Sequence, residues 1–314
     1  MLTKNNMTEE VPTQRKSFGP IIIAGLFLFF VANIALKPSE NDNLTAQAKV
    51  GLDTFSFSHS VFEQLILEAE VSYIENFETG ETLYQKNAGI VRPLASLTKI
   101  MTTVSAMTIF PEGVTVTIEK EDLEPSGDHG LIPGEQWKLE DLLVFMLVAS
   151  SNDAAAAIGR SGEKYTGDIS FSEYMTIQAG DLGFDSLQFS NTSGEDLDEE
   201  GTIPGAVGNA EDISKLFSFA YKKYPDIFNI TKKQIVILYS DIEEHLIENT
   251  NTELQKMPGV IGSKTGYTDT ARGNLTVLAE LSKQPTIVTV LQSSRQGRFK
   301  DVEEIIGLIE EKHD

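Results

Sequence analysis

The sequence predicts an α+β fold, with one antiparallel sheet assembled from both ends of a domain around a central helical cluster. Three observations predict it. β-Favouring runs flank a turn signal near residue 80. Helical periodicity is concentrated in the middle of the chain. Three strand-like runs and an amphipathic stretch close the sequence. One apolar segment near the N-terminus adds a single transmembrane helix to this plan.

The elements follow in order. VSYIENFETGETLYQKN (71–87) carries two β-favouring runs around Thr79–Gly80 and reads as a hairpin. From Leu97 the apolar positions are 97, 100, 101, 104 and 107, which is helical spacing. The apolar run Leu142–Ala149 follows an acidic start and reads as a buried helix ending at Ser150–Asp153. Asn152 or Asp153 is placed to cap the alanine-rich helix that follows. AEDISKLFSFAYKKYP (210–225) is helical until Pro225 stops it. VIGSKTGYT, GNLTVLAEL and PTIVTVLQS read as three strands, the last two joined by a short Ser-Lys-Gln turn. DVEEIIGLIEEK (301–312) reads as a closing amphipathic helix.

Residues 21–36, IIIAGLFLFFVANIAL, hold no charge, with Arg15 and Lys16 before them and Lys37 after. The basic flank is expected in the cytoplasm and the bulk of the chain outside. The expected organisation is a cytoplasmic segment (1–17), a transmembrane anchor (18–37), a polar linker (38–55) and one catalytic domain (56–314). Localisation is then the cell membrane, single-pass, with the domain on the extracytoplasmic side. The alternative is a signal peptide cut near Ala46-x-Ala48, which would leave a secreted domain.

Composition excludes several classes. The 314 residues include no cysteine, so disulfides, thiolate metal sites and a cysteine nucleophile are ruled out. The net charge is −22, from 25 basic and 47 acidic residues. The first 37 residues take four and two of these, leaving 21 and 45 beyond, a net of −24. Such a surface repels phosphate backbones, so nucleic acid is not an expected partner. The four histidines, His59, His129, His245 and His313, have no helical ligand spacing, and no metal or organic cofactor is expected. The acidic run 195–200 reads as a solvated loop rather than a cation site.

Three short motifs carry chemistry. Ser96 and Lys99 stand three apart at a helix start, on one face. A serine hydroxyl needs a base, and lysine serves only if its surroundings lower its pKa. Ser150-Ser151-Asn152 lies at a helix end. Lys264-Thr265-Gly266 lies on a strand, where a cation and a hydroxyl can hold a carboxylate and glycine admits a close backbone. Ser-x-x-Lys recurs at Ser161–Lys164, and Ser-x-Asn at Ser39–Asn41. Only one assembly keeps the order Ser-x-x-Lys, Ser-x-Asn, Lys-Thr-Gly.

That ordered triple marks penicillin-binding proteins and serine β-lactamases. The chain resembles the D-alanyl-D-alanine carboxypeptidases in particular. The resemblance runs through residues 78–102, 134–158, 249–254 and 258–277, more loosely through FSNTSGED (189–196), and covers about residues 60–312. It implies a β-lactamase/transpeptidase-like fold and a stem peptide ending in D-Ala-D-Ala as substrate, with β-lactams as covalent inhibitors. Ser96 would form the acyl-enzyme and Lys99 would take its proton. Ser150 would relay a proton to the leaving amine, and Asn152 would bind the substrate amide. Lys264 and Thr265 would hold the terminal carboxylate beside Gly266. The backbone N–H groups of Ser96 and Tyr267 would form the oxyanion hole.

Three departures from the family pattern stand out. Ser151 occupies a position where many members have glycine, and Ser150 is chosen as the proton relay from its spacing to Asn152. Thr192 and Glu195 replace the usual proline and leucine. Only 48 residues follow Gly266, too few for the second domain and C-terminal anchor of many relatives, so an N-terminal anchor is expected instead.

Rival readings keep the same machinery. A DD-endopeptidase is not separable by sequence. A serine β-lactamase would need Glu-x-x-x-Asn between the second and third motifs. The residues four before each asparagine there are Leu187, Gly205, Pro225, His245 and Ile247. The non-enzyme rival is an anchored regulatory peptidoglycan-binding protein.

Overall fold

Strands from the two ends of the described domain pair with one another. The computed structural model describes residues 62, 64–123, 130–281 and 284–311. The expected cytoplasmic segment, membrane helix and linker lie outside the described residues. Among the described residues no helix is long and apolar enough to cross a membrane.

In chain order the elements are β1 (Val71–Asn76), β2 (Thr82–Lys86), β3 (Arg92–Pro93), α1 (Thr98–Ile109), β4 (Thr115–Thr117), β5 (Gln136–Lys138), α2 (Leu139–Ala149), α3 (Asn152–Thr166) and α4 (Phe171–Asp181). There follow β6 (Gln188–Phe189), β7 (Ala206–Gly208), α5 (Ala210–Lys223), the short α6 (Pro225–Phe228), β8 (Ile235–Tyr239), β9 (Glu244–Glu248), β10 (Val260–Thr268), β11 (Arg272–Leu281), β12 (Gln284–Ser293) and α7 (Gly297–Glu311). The main sheet runs β10-β11-β12-β1-β2, every neighbouring pair antiparallel. β1 joins the C-terminal hairpin through Val71↔Leu291 and Tyr73↔Thr289. The two ends of the domain therefore share one sheet.

Both faces of the central part of that sheet are covered, which is why β11 and β12 read as nearly continuous apolar runs. On one face Leu275, Val277, Val288 and Val290 pack with Phe299, Val302, Ile305 and Ile309 of α7. On the other, Val71, Tyr73, Leu278, Ile287 and Leu291 belong to the core that includes Leu97, Ile100, Leu142, Phe145 and Phe217. α7 begins four residues before the expected start at 301, because Phe299 continues the apolar stripe upstream. The cap of α3 also differs from expectation. Ser151 supplies it, accepting from Ala154 N at 3.1 Å, while Asn152 is the first helical residue. α5 ends at Lys223, and Pro225 opens the separate α6.

Beside the sheet, the β8–β9 hairpin is tied to the loop before β5 by a buried carboxylate. Glu135 Oε1 lies 2.6 Å from His245 Nε2 and accepts from Ser240 Oγ at 3.0 Å. Its Oε2 accepts from Ile132 N at 2.9 Å and Trp137 Nε1 at 3.3 Å. Glu135→Ala strands those groups and is expected to lower stability by about 3 kcal/mol. Urea unfolding of wild type, Glu135→Gln and Glu135→Ala checks it, with the glutamine variant expected between the other two. A change in the alanine variant within ~0.5 kcal/mol would refute this account.

Candidate active site

Ser96 sits in a tight turn, Ala95–Leu97, that leads directly into α1. Ala95 takes φ +49°, in the left-handed region unfavourable to a side chain. β10 lies close alongside. A Cβ on Gly266 would stand 2.9 Å from Leu94 O and 3.2 Å from Ser96 N, so only glycine allows this approach.

One turn into α1, Lys99 is fully buried and its ammonium nitrogen has three partners. It lies 2.8 Å from Ser96 Oγ, 2.8 Å from Asn152 Oδ1 and 2.9 Å from Ser193 O. Burial pulls Lys99 down to about 7, against a smaller opposing pull from Glu195. A lysine near that value is present in both protonation states at neutral pH.

A second buried lysine comes from β10. Lys264 Nζ donates to Ser150 Oγ and to Thr265 O, each at 2.8 Å. Burial, then Lys99 and Arg298, hold it well below the ordinary lysine range. Ser150 ends α2 in the left-handed conformation, with φ +59°. That turn separates the two serines, since Ser150 meets Lys264 while the fully buried Ser151 caps α3. Thr265 Oγ1 lies 2.6 Å from Thr250 Oγ1.

These side chains border a cavity of about 320 Å³. Ser96, Ser150, Asn152, Thr265, Gly266 and Tyr267 line it, together with Glu195, Thr250, Arg295 and Arg298. Lys99 and Lys264 stand behind that lining, nearly inaccessible. A larger cavity of about 870 Å³ adjoins it and shares Asn152, Glu195, Tyr267 and Arg295. A buried serine–lysine pair at the floor of a polar cleft suits nucleophilic attack on a carbonyl.

The sequence decides which family this is. The family model described as D-alanyl-D-alanine carboxypeptidase matches residues 59–295. The chain belongs to that family. It is 29% identical over 265 residues to the D-alanyl-D-alanine carboxypeptidase DacF of Bacillus subtilis, covering 78% of this chain. The chain spans 64% of that relative's length, less than two thirds. Among solved structures it is similar to penicillin-binding protein D2 of Listeria monocytogenes in its cefotaxime-bound form. That match has 30% identity and a TM-score of 0.65, over 78% of this chain and 98% of the other. It is also similar to a variant of the Streptomyces K15 DD-transpeptidase, with 27% identity and a TM-score of 0.69, over 78% and 98% of the two chains. The mixed helical and antiparallel-sheet fold is thus that of the penicillin-binding and transpeptidase proteins.

In this family member all eight residues expected from the motifs and the resemblance come together around one cleft. The competing Ser161–Lys164 pair lies on α3, with Ser161 buried and Lys164 exposed. Four cleft residues carry no role in the motifs. Thr250 stands within the stretch 249–254 that carries the resemblance, and Glu195 enters the sequence reading as a departure from leucine and as the start of the acidic run 195–200. Arg298 donates to Gly266 O at 2.5 Å, and Arg295 stacks 4.5 Å over the Tyr267 ring. The apolar stripe of α7, carried upstream to Phe299, is the signal that brings Arg298 to the helix start facing β10.

The acidic run 195–200 is engaged locally. Asp196 accepts from Thr268 Oγ1 at 3.0 Å, and Asp198 accepts from Thr202 N at 2.8 Å and Ile203 N at 2.7 Å. Among the described residues no group of three or more histidine or acidic side chains is arranged to hold a metal.

Proposed function

We propose that the chain is a serine D-Ala-D-Ala carboxypeptidase acting on peptidoglycan stem peptides through an acyl-enzyme on Ser96, and that β-lactams trap the same serine. The observation that carries this reading is the Lys99–Ser96 contact at 2.8 Å, made by a buried lysine whose other bonds go to Asn152 Oδ1 and Ser193 O. In the neutral amine, two N–H groups serve those two acceptors. The lone pair is then left for the Ser96 proton.

The reaction follows from that pairing. Ser96 Oγ attacks the carbonyl carbon of the penultimate D-alanine while its proton passes to Lys99. The N–H groups of Ser96 and Tyr267 receive the oxyanion. The C–N bond breaks, and the proton taken up by Lys99 passes through Ser150 to the leaving amine, returning Lys99 to the neutral form; the Lys264 bond holds Ser150 in place for that relay. Lys264 and Thr265 hold the terminal carboxylate, and a bound carboxylate favours the charged form of Lys264. Asn152 holds the substrate's backbone amide. Water then attacks the ester, its proton passing to Lys99 and on to Ser96 Oγ as the C–O bond breaks and the shortened peptide leaves.

The charge-free segment within residues 18–37, with its basic flank, supports a cell-membrane anchor and an extracytoplasmic domain. The test uses the full-length chain. Benzylpenicillin is expected to add one drug mass to the peptide that contains Ser96. A pentapeptide ending in D-Ala-D-Ala is expected to release D-alanine. A folded chain that gains no mass with several β-lactams would overturn the reading.

A further inference from the structure

The loop that carries Glu195 is held by its neighbours. Thr192 O accepts from Thr102 Oγ1 of α1 at 2.7 Å, and Thr192 Oγ1 donates to Ala155 O of α3 at 2.8 Å. Asn191 closes the turn, accepting from Gly194 N at 2.6 Å and donating to Glu195 O at 2.8 Å. From this anchored backbone Glu195 reaches the cleft, and its Oε2 accepts from Asn152 Nδ2 at 3.1 Å. Among the described residues lining the 320 Å³ cavity, it is the one carboxylate.

An asparagine amide has one accepting oxygen and two donated hydrogens, whereas a carboxylate only accepts. Glu195 therefore selects one amide orientation, with Nδ2 toward the loop and Oδ1 toward Lys99. Rotating the amide by half a turn would aim an N–H at Lys99 and lose both bonds. We propose that Glu195 is a positioning residue, locking the Asn152 amide so that Oδ1 faces Lys99 and thereby setting how Lys99 meets Ser96. This rests on the peptidase reading and adds to it a part for a position where the resemblance leads to leucine.

The charge of Glu195 acts in the same direction, favouring protonated Lys99 against burial. Of the other charged groups, Lys264 from β10 interacts with Lys99, and Arg298 from α7 interacts with Lys264. Without Glu195, Lys99 loses its proton at lower pH.

The experiment measures the second-order rate of Ser96 acylation by benzylpenicillin against pH, in full-length wild type, Glu195→Leu and Glu195→Gln. Leucine matches the family pattern, and glutamine keeps the shape without the charge. The inflection is expected to move to lower pH in both variants, and the high-pH rate to fall roughly 10-fold in Glu195→Leu as the amide loses its lock. Inflections that coincide with wild type in both variants overturn the proposal, even if rates drop uniformly, since lost packing alone would do that. A wild type that is never acylated overturns the peptidase reading and this proposal together.

Discussion

Lys99→Met is expected to slow acylation of Ser96 by benzylpenicillin about 10³-fold, although Ser96 itself is untouched. Methionine keeps the length and the apolar stem but can accept no proton. Only the base and its three hydrogen bonds are removed. Ser96→Ala marks the outer limit, because no adduct can form without Oγ. If Lys99→Met were acylated within about tenfold of wild type, another group would be the base and the mechanism above would fail.

The same variant reports the pH at which the base works. Lys99 lies near 7 in the folded chain and near 10.5 when unfolded, so between these values the unfolded state binds the extra proton. Stability contributed by this group therefore rises with pH across that window. Below it both states are protonated and the burial penalty is fully present; above it both are neutral and the penalty is gone. Relative to Lys99→Met, wild type is expected to gain on the order of 5 kcal/mol between pH ~7 and ~10.5. Urea unfolding of the two proteins at several pH values measures the difference. A gap independent of pH would mean that the lysine keeps an ordinary pKa despite its burial.

The parts of this molecule legible in the sequence are those set by local pattern. β11 and β12 are buried on both faces, so their runs of valine, leucine, isoleucine and threonine predict strands without needing a partner. α4 was missed because it buries only Phe171, Met175 and Ala179, one narrow stripe on an otherwise polar helix. The β8–β9 hairpin escaped for the opposite reason. Ile235, Ile237, Tyr239 and Leu246 are exposed while His245 is buried, so polarity does not report the inner face. The three candidate motifs are short and ordered, and can be read one by one. What makes Lys99 fit to act as a base could not. Its burial comes from α1, α3, the 191–195 loop and β10 at once, and its acceptor on Ser193 is a backbone carbonyl that any residue would supply. Glu195 and Arg298 likewise acquire meaning only through tertiary contact.

Gly194→Ala should separate backbone strain from collision, and it carries the second-largest effect expected. Gly194 takes φ +81°, and an added Cβ would overlap the Ala95 carbonyl oxygen and crowd Thr98 Oγ1. Gly80 offers a matched control, with φ +71° and nothing within 4 Å of the added Cβ. Gly80→Ala therefore measures the conformational penalty alone, about 1 kcal/mol. Gly194→Ala adds a clash that neither backbone can relieve without moving the turn that holds Ser96. It is expected to cost about 3 kcal/mol or more, lowering Tm by roughly 6–12 °C. Relief of the clash would also pull Ser193 O away from Lys99, which it accepts from at 2.9 Å, so acylation should fall at least ~10-fold in molecules that remain folded. Thermal unfolding and penicillin acylation of both variants test the pair. Equal losses at Gly80 and Gly194 would mean that the loop and the nucleophile's turn are not in contact as described. A stability loss at Gly194 with acylation unchanged would show that Ser193 does not govern the base.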